Sequence, residues 1–78
     1  MDINYYFNKI LAEEHSIYYY NEDDSMFGGI FQWNFSRIVL FMLSVIEATN
    51  RPIKTLPDWN YETVSPRNIK LYIESILE

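Results

Sequence analysis

Apolar side chains fall on helical spacing at both ends of the chain. Ile3, Tyr6, Phe7, Ile10 and Leu11 recur at i, i+3, i+4, i+7 and i+8, which places them on one stripe of a helix. Asp2, just ahead of the stripe, is suited to accept from the first free backbone N–H groups, so a helix is predicted over about residues 2 to 14. Near the other end Ile69, Tyr72, Ile73, Ile76 and Leu77 repeat the same spacing behind Ser65-Pro66, a hydroxyl cap followed by the residue preset for a first helical position.

The middle of the chain is apolar more nearly all round. From about Ile30 to Thr49 the polar residues Gln32, Ser36, Arg37, Ser44 and Glu47 project within an arc of roughly 140°. A helix covered on most sides is expected there, with Phe31, Phe35, Ile38, Val39, Phe41, Met42, Val45 and Ile46 in the core. Asn50-Arg51-Pro52 should end it, because Asn tolerates a left-handed cap and Pro cannot continue a helix. The apolar run Ile38–Ile46 is too short to span a bilayer and is bracketed by Arg37 and Glu47, so no membrane contact is expected.

Between the first two helices, Ser16-Ile17-Tyr18-Tyr19-Tyr20 is β-prone and reads as a short extended segment or one further helical turn. Asn21-Glu22-Asp23-Asp24-Ser25 reads as a loop, and Gly28-Gly29 as a break. Residues 53 to 65 carry Pro57, Trp59 and Tyr61, an irregular arm packed by its aromatics. The expectation is a mostly α, small three-helix single domain spanning residues 1 to 78, with an irregular aromatic arm and a short extended piece near residues 17 to 20.

Composition supports a dense core. Of the 78 residues 49% are hydrophobic and 18% aromatic, which a chain of this size needs because it covers only about two-thirds of its unfolded surface. The absence of cysteine removes disulfides and thiolate metal sites, and no secretory leader is evident at Met-Asp-Ile-Asn-Tyr, so a soluble cytoplasmic protein is expected. A net charge of −5 disfavours nucleic acid, whose phosphates are bound by Lys and Arg, and favours a basic protein as partner.

Catalytic chemistry finds little to work with. His15 is the single histidine, and its acidic neighbours lie on a polar, solvated run rather than in a sheltered cleft that would drive two carboxyl pKa values apart. One His without Cys offers too few ligands for zinc, and residues 21 to 25 lack the spacing of a calcium loop. No enzyme activity, metal or cofactor is expected.

The distinctive stretch is Glu13 to Phe27, which has five acids, three consecutive tyrosines and no Lys or Arg. Three adjacent rings cannot all face one core: an extended chain alternates them, and a helix fans them through about 200°. At least one should reach solvent, where Tyr offers a large, stiff interface anchor. Acids beside it would steer a basic partner. Glu13, Glu14, Tyr18, Tyr19, Tyr20, Glu22, Asp23 and Asp24 are the expected contact residues.

Ile17-Tyr18-Tyr19, Asp23-Asp24-Ser25 and Gly29-Ile30 together resemble the Ile-Tyr-Tyr stretch, acidic loop and Gly-led helix of the immunity proteins of nuclease bacteriocins. The likeness covers residues 17 to 30. It departs at Tyr20, where the family has proline, at His15, where an acid is usual, and in having one preceding helix rather than two. It implies that Tyr18, Tyr19, Asp23 and Asp24 contact a toxin. The expected function is therefore a small acidic inhibitory binding protein, an immunity protein masking a basic toxin enzyme such as a nuclease. The alternatives are a phage-encoded inhibitor of a host enzyme, or a structural or adaptor module that self-associates as a homodimer.

Overall fold

The structure, a computed structural model, describes residues 2–55 and 64–78. Three helices follow in chain order: α1 (Ile3–His15), α2 (Phe35–Thr49) and α3 (Pro66–Ile76). Pro57, Trp59 and Tyr61 of the expected arm lie outside the described residues.

Each helix starts on a side chain that accepts from the first turn. Asp2 accepts from the Tyr5 amide at 2.9 Å, Asn34 from the Arg37 amide at 2.8 Å and Ser65 from the Asn68 amide at 3.3 Å. Pro66 occupies the first turn of α3, where its missing N–H has no cost. Ser16 and Asn50 end α1 and α2 in the left-handed conformation, with φ of 57° and 55°. The Leu11 carbonyl accepts from the Ser16 amide and also from the Ile17 amide, the latter at 3.0 Å, which ties the chain reversal to the last turn of α1.

Residues 16 to 20 take the non-helical alternative and run without strand pairing. Among the described residues the β pairing is one antiparallel bridge, Ile53 with Leu77, which fastens the segment after α2 to the end of α3.

The second helix begins five residues later than the apolar pattern predicts. Gly29 and Gln32 adopt positive φ, 59° and 49°, which interrupts a right-handed helix. The Trp33 amide donates to the Met26 carbonyl instead, and Asn34 becomes the cap. This folds Phe31 and Trp33 inward, 5% and 7% exposed, while Phe35 lies at the surface, contrary to its expected core position. Val39 and Ile46 are half-buried rather than buried.

The three helices surround a core whose centre is a closed circuit of rings. Phe7 of α1 meets Phe41 of α2 edge-on at 4.9 Å, Phe41 meets Trp33, Trp33 meets Phe31, Phe31 meets Tyr20, and Tyr20 returns to Phe7 at 5.9 Å. Edge-to-face and tilted pairs at these separations add to the burial of the rings themselves. Leu11, Ile38, Val45, Ile69 and Ile73 pack around the circuit with essentially no exposure.

Ile38, Phe41, Met42 and Val45 of α2 are buried as expected, while Leu40 and Leu43, which fall inside the arc of polar positions, are 65% and 52% exposed and put apolar surface on the water-facing side. No helix among the described residues is long and apolar enough to cross a membrane.

Candidate protein-binding surface

The tyrosine run divides. Leaving α1 through Ser16, the chain turns back along the helix, half-burying Ile17 against the core and then exposing Tyr18 and Tyr19, which are 68% and 89% exposed. Tyr20 points the other way. Its ring lies against Phe7 and Phe31, and its hydroxyl donates to the Asn8 side chain of α1. The two exposed rings therefore stand on a stretch of backbone anchored at both ends.

Lys70 of α3 supplies the second anchor. Its ammonium, on a side chain only 14% exposed, donates to Asn4 at 2.6 Å, to the Tyr20 hydroxyl at 2.9 Å and to Glu22 at 2.5 Å. It also sits 4.8 Å from the centre of the Phe7 ring and 5.2 Å from that of Tyr20, where the ring faces attract a cation. One buried charge thus satisfies acceptors from α1 and from the loop, as a sheltered ammonium must be. Burial pushes the Tyr20 hydroxyl above its ordinary pKa, with Lys70 opposing the rise, so the phenol stays neutral and donates.

The acids of the loop are not equivalent. Glu22 is held by Lys70, and its carbonyl accepts from the Arg67 amide at 3.0 Å. Asp23 takes two donors from the Arg67 guanidinium, at 2.8 and 3.4 Å, and its carboxyl is held below the usual range chiefly by that hydrogen bond. The turn is closed by Asn21, whose side-chain oxygen accepts from the Asp23 amide at 2.8 Å. Asp24 is exposed and makes no ion pair among the described residues.

Glu13 and Glu14 stand apart from this group. Asn8 marks the side of α1 along which Tyr20 runs, and five residues on, Glu13 points about 140° away from it. Glu14 lines the seam between α1 and α2, bordering two shallow hollows of about 520 and 460 Å³ with Ser44. Of the eight expected contact residues the fold exposes Tyr18, Tyr19 and Asp24, holds Glu22 and Asp23 in ion pairs and turns Tyr20 toward the core, while Glu13 and Glu14 project from α1 away from the side along which Tyr20 runs.

His15 packs on aromatic rings, 4.7 Å from Trp33 and 5.8 Å from Phe41. Burial first and the Arg37 charge second hold its pKa below 6.5, while Glu14 pulls upward. Because the unfolded chain takes up this proton at a higher pH than the folded one, stability is full above about pH 7 and falls as pH drops through the unfolded value toward the depressed folded one. His15→Gln should remove that part of the fall, read as the change in thermal midpoint between pH 7.5 and 5.5. Equal changes in the variant and the parent would show that the ring is as free to protonate folded as unfolded.

No group of three or more His, Asp or Glu among the described residues is placed to hold a metal ion. Sequence alone does not single out Lys70, whereas it does mark the central helix as carrying more apolar surface than three short helices cover, which is the basis of the self-association alternative. Lys70 had one signal, since it lies about 60° from Ile73 around α3, at the border of the buried stripe. No family model, characterised protein or solved structure matches the chain.

Proposed function

We propose that this chain is a small acidic inhibitory binding protein, an immunity protein that masks a basic toxin enzyme such as a nuclease. The observation that carries the reading is the pair Tyr18 and Tyr19, two adjacent rings 68% and 89% exposed on a backbone that is fixed on either side. Exposed aromatics on a rigid base can be buried by a partner with little loss of conformational freedom. A net charge of −5 draws a cationic partner, and Asp24, five positions after Tyr19, adds an exposed carboxylate in no ion pair among the described residues. Glu22 and Asp23 contribute less to steering, because Lys70 and Arg67 already offset them. The resemblance to immunity proteins over residues 17 to 30 places its implied contacts on these same residues.

The test is protection from toxicity. The product of the neighbouring reading frame is expressed alone and together with this chain; the reading expects growth arrest that the chain relieves and that Asp24→Lys relieves less well. Growth unaffected by the neighbour, or arrest that the chain leaves untouched, overturns the immunity reading.

A further inference from the structure

The water-facing side of α2 is patterned. At 100° per residue Ser36, Leu40, Leu43 and Glu47 lie within an arc of about 60°, opposite the buried Ile38, Phe41 and Val45. The leucines occupy the middle of this strip, 65% and 52% exposed. Glu47 lies at its C-terminal end and Arg37 flanks its N-terminal end, both exposed. Among the described residues Arg51, Arg67 and Lys70 each have a carboxylate partner, whereas the Arg37 guanidinium and the Glu47 carboxylate are in no ion pair.

An apolar centre with an unpaired cation at one end and an unpaired anion at the other is complementary to itself once reversed. We propose that this face of α2 binds α2 of a second copy of the chain, the two helices antiparallel about a two-fold axis between Leu40 and Leu43. With a rise of about 1.5 Å per residue, that axis sets Leu40 level with Leu43 of the partner subunit and brings Arg37 within about 1.5 Å, measured along the helix, of the level of Glu47 of the partner subunit. A parallel pairing in register would instead oppose like charges at both ends, so the charges select the reversed arrangement. The strip from Ser36 to Glu47 is only about 17 Å long, which places the interface in the small, weak class. The dimer is accordingly reversible and builds up with concentration. It uses neither Tyr18 nor Tyr19, so it stands or falls separately from the inhibitory role.

Sedimentation equilibrium of the full chain from roughly 10 µM to 1 mM tests it, since a weak dimer fills over such a range. The expected result is a rise in average mass toward twice that of the monomer. Leu40→Glu should abolish the rise. Arg37→Glu and Glu47→Arg should each weaken it by at least about five-fold, because the two-fold axis repeats the change and two ion pairs become two repulsions. The combined variant R37E/E47R should recover parental association, because the two ends merely exchange signs; a residue that only supports the fold would not show this rescue. Helical circular dichroism of each variant confirms that the chain remains folded. A parent that is monomeric throughout overturns the proposal, including the case in which a different protein is found to cover the leucines. So does association indifferent to Leu40→Glu, or a double variant as weak as either single one.

Discussion

Phe7→Ala is expected to destabilise the domain by about 3–5 kcal/mol, the cost of removing a large buried ring whose space the surroundings cannot close. Phe7 has no exposure and holds three contacts at once, the edge of Phe41, the tilted ring of Tyr20 and the ammonium of Lys70. Its loss opens the circuit of five rings at the point where α1, α2, α3 and the tyrosine segment meet. A domain of this length has on the order of 4–12 kcal/mol of total stability, so the variant will be partly unfolded or close to it. Urea unfolding followed by helical circular dichroism measures the effect. Leu71→Ala is the comparison, since Leu71 is 63% exposed on the far side of α3 and its truncation should change stability by about 0.5 kcal/mol or less. Similar midpoints for the two variants would mean that Phe7 does not anchor the core.

The second large effect is on binding rather than folding. Tyr18→Ala and Tyr19→Ala should each weaken the complex with the neighbouring-frame product by about 2 kcal/mol, roughly 30-fold in Kd, as anchor residues at interfaces do. The loss should appear mainly as faster dissociation, because the acids that govern encounter remain. Neither change should move the thermal midpoint appreciably, since the rings touch little of their own chain at 68% and 89% exposure. Tyr20→Phe should behave inversely. Removing its hydroxyl strips a partner from Lys70 and from Asn8, which lowers stability while leaving the contact surface chemically intact. Isothermal titration calorimetry with the three variants separates the roles. Parental affinity in both Tyr18→Ala and Tyr19→Ala would move the contact away from these rings.

The ends of the fold were readable because local signals agreed there. At α1 the cap at Asp2 and the stripe from Ile3 to Leu11 reinforce one another, and at α3 Ser65-Pro66 does the same for the stripe from Ile69. At α2 the signals conflicted: Ile30, Phe31 and Trp33 carry apolar side chains that extend the helical pattern, while Gly29 and Gln32 take up a left-handed backbone that forbids a helix there. Leu40 and Leu43 are the same kind of residue as those facing inward, but they fall inside the arc of polar positions on α2, so it is periodicity and not hydropathy that marks them as facing water.

The tyrosines make the same point at closer range. Three adjacent rings cannot share one core, so the exposure of at least one is legible in the sequence, yet three identical residues carry no mark of which will turn inward. That choice belongs to Lys70, fifty positions away, whose ammonium needs the hydroxyl of Tyr20. Nothing near Glu22 and Asp23 in the sequence marks them as paired, because Lys70 and Arg67 are remote along the chain and adjacent only once α3 is in place.

The Lys70 cluster also makes amine chemistry at this surface selective. Lys9 and Lys54 present their ammonium groups to solvent, so acylating reagents meet them first, while the most sheltered of these amines is the one whose neutralisation would slacken the footing of the exposed rings. Dyes and cross-linkers can therefore be attached through surface lysines with the aromatic ledge kept in place.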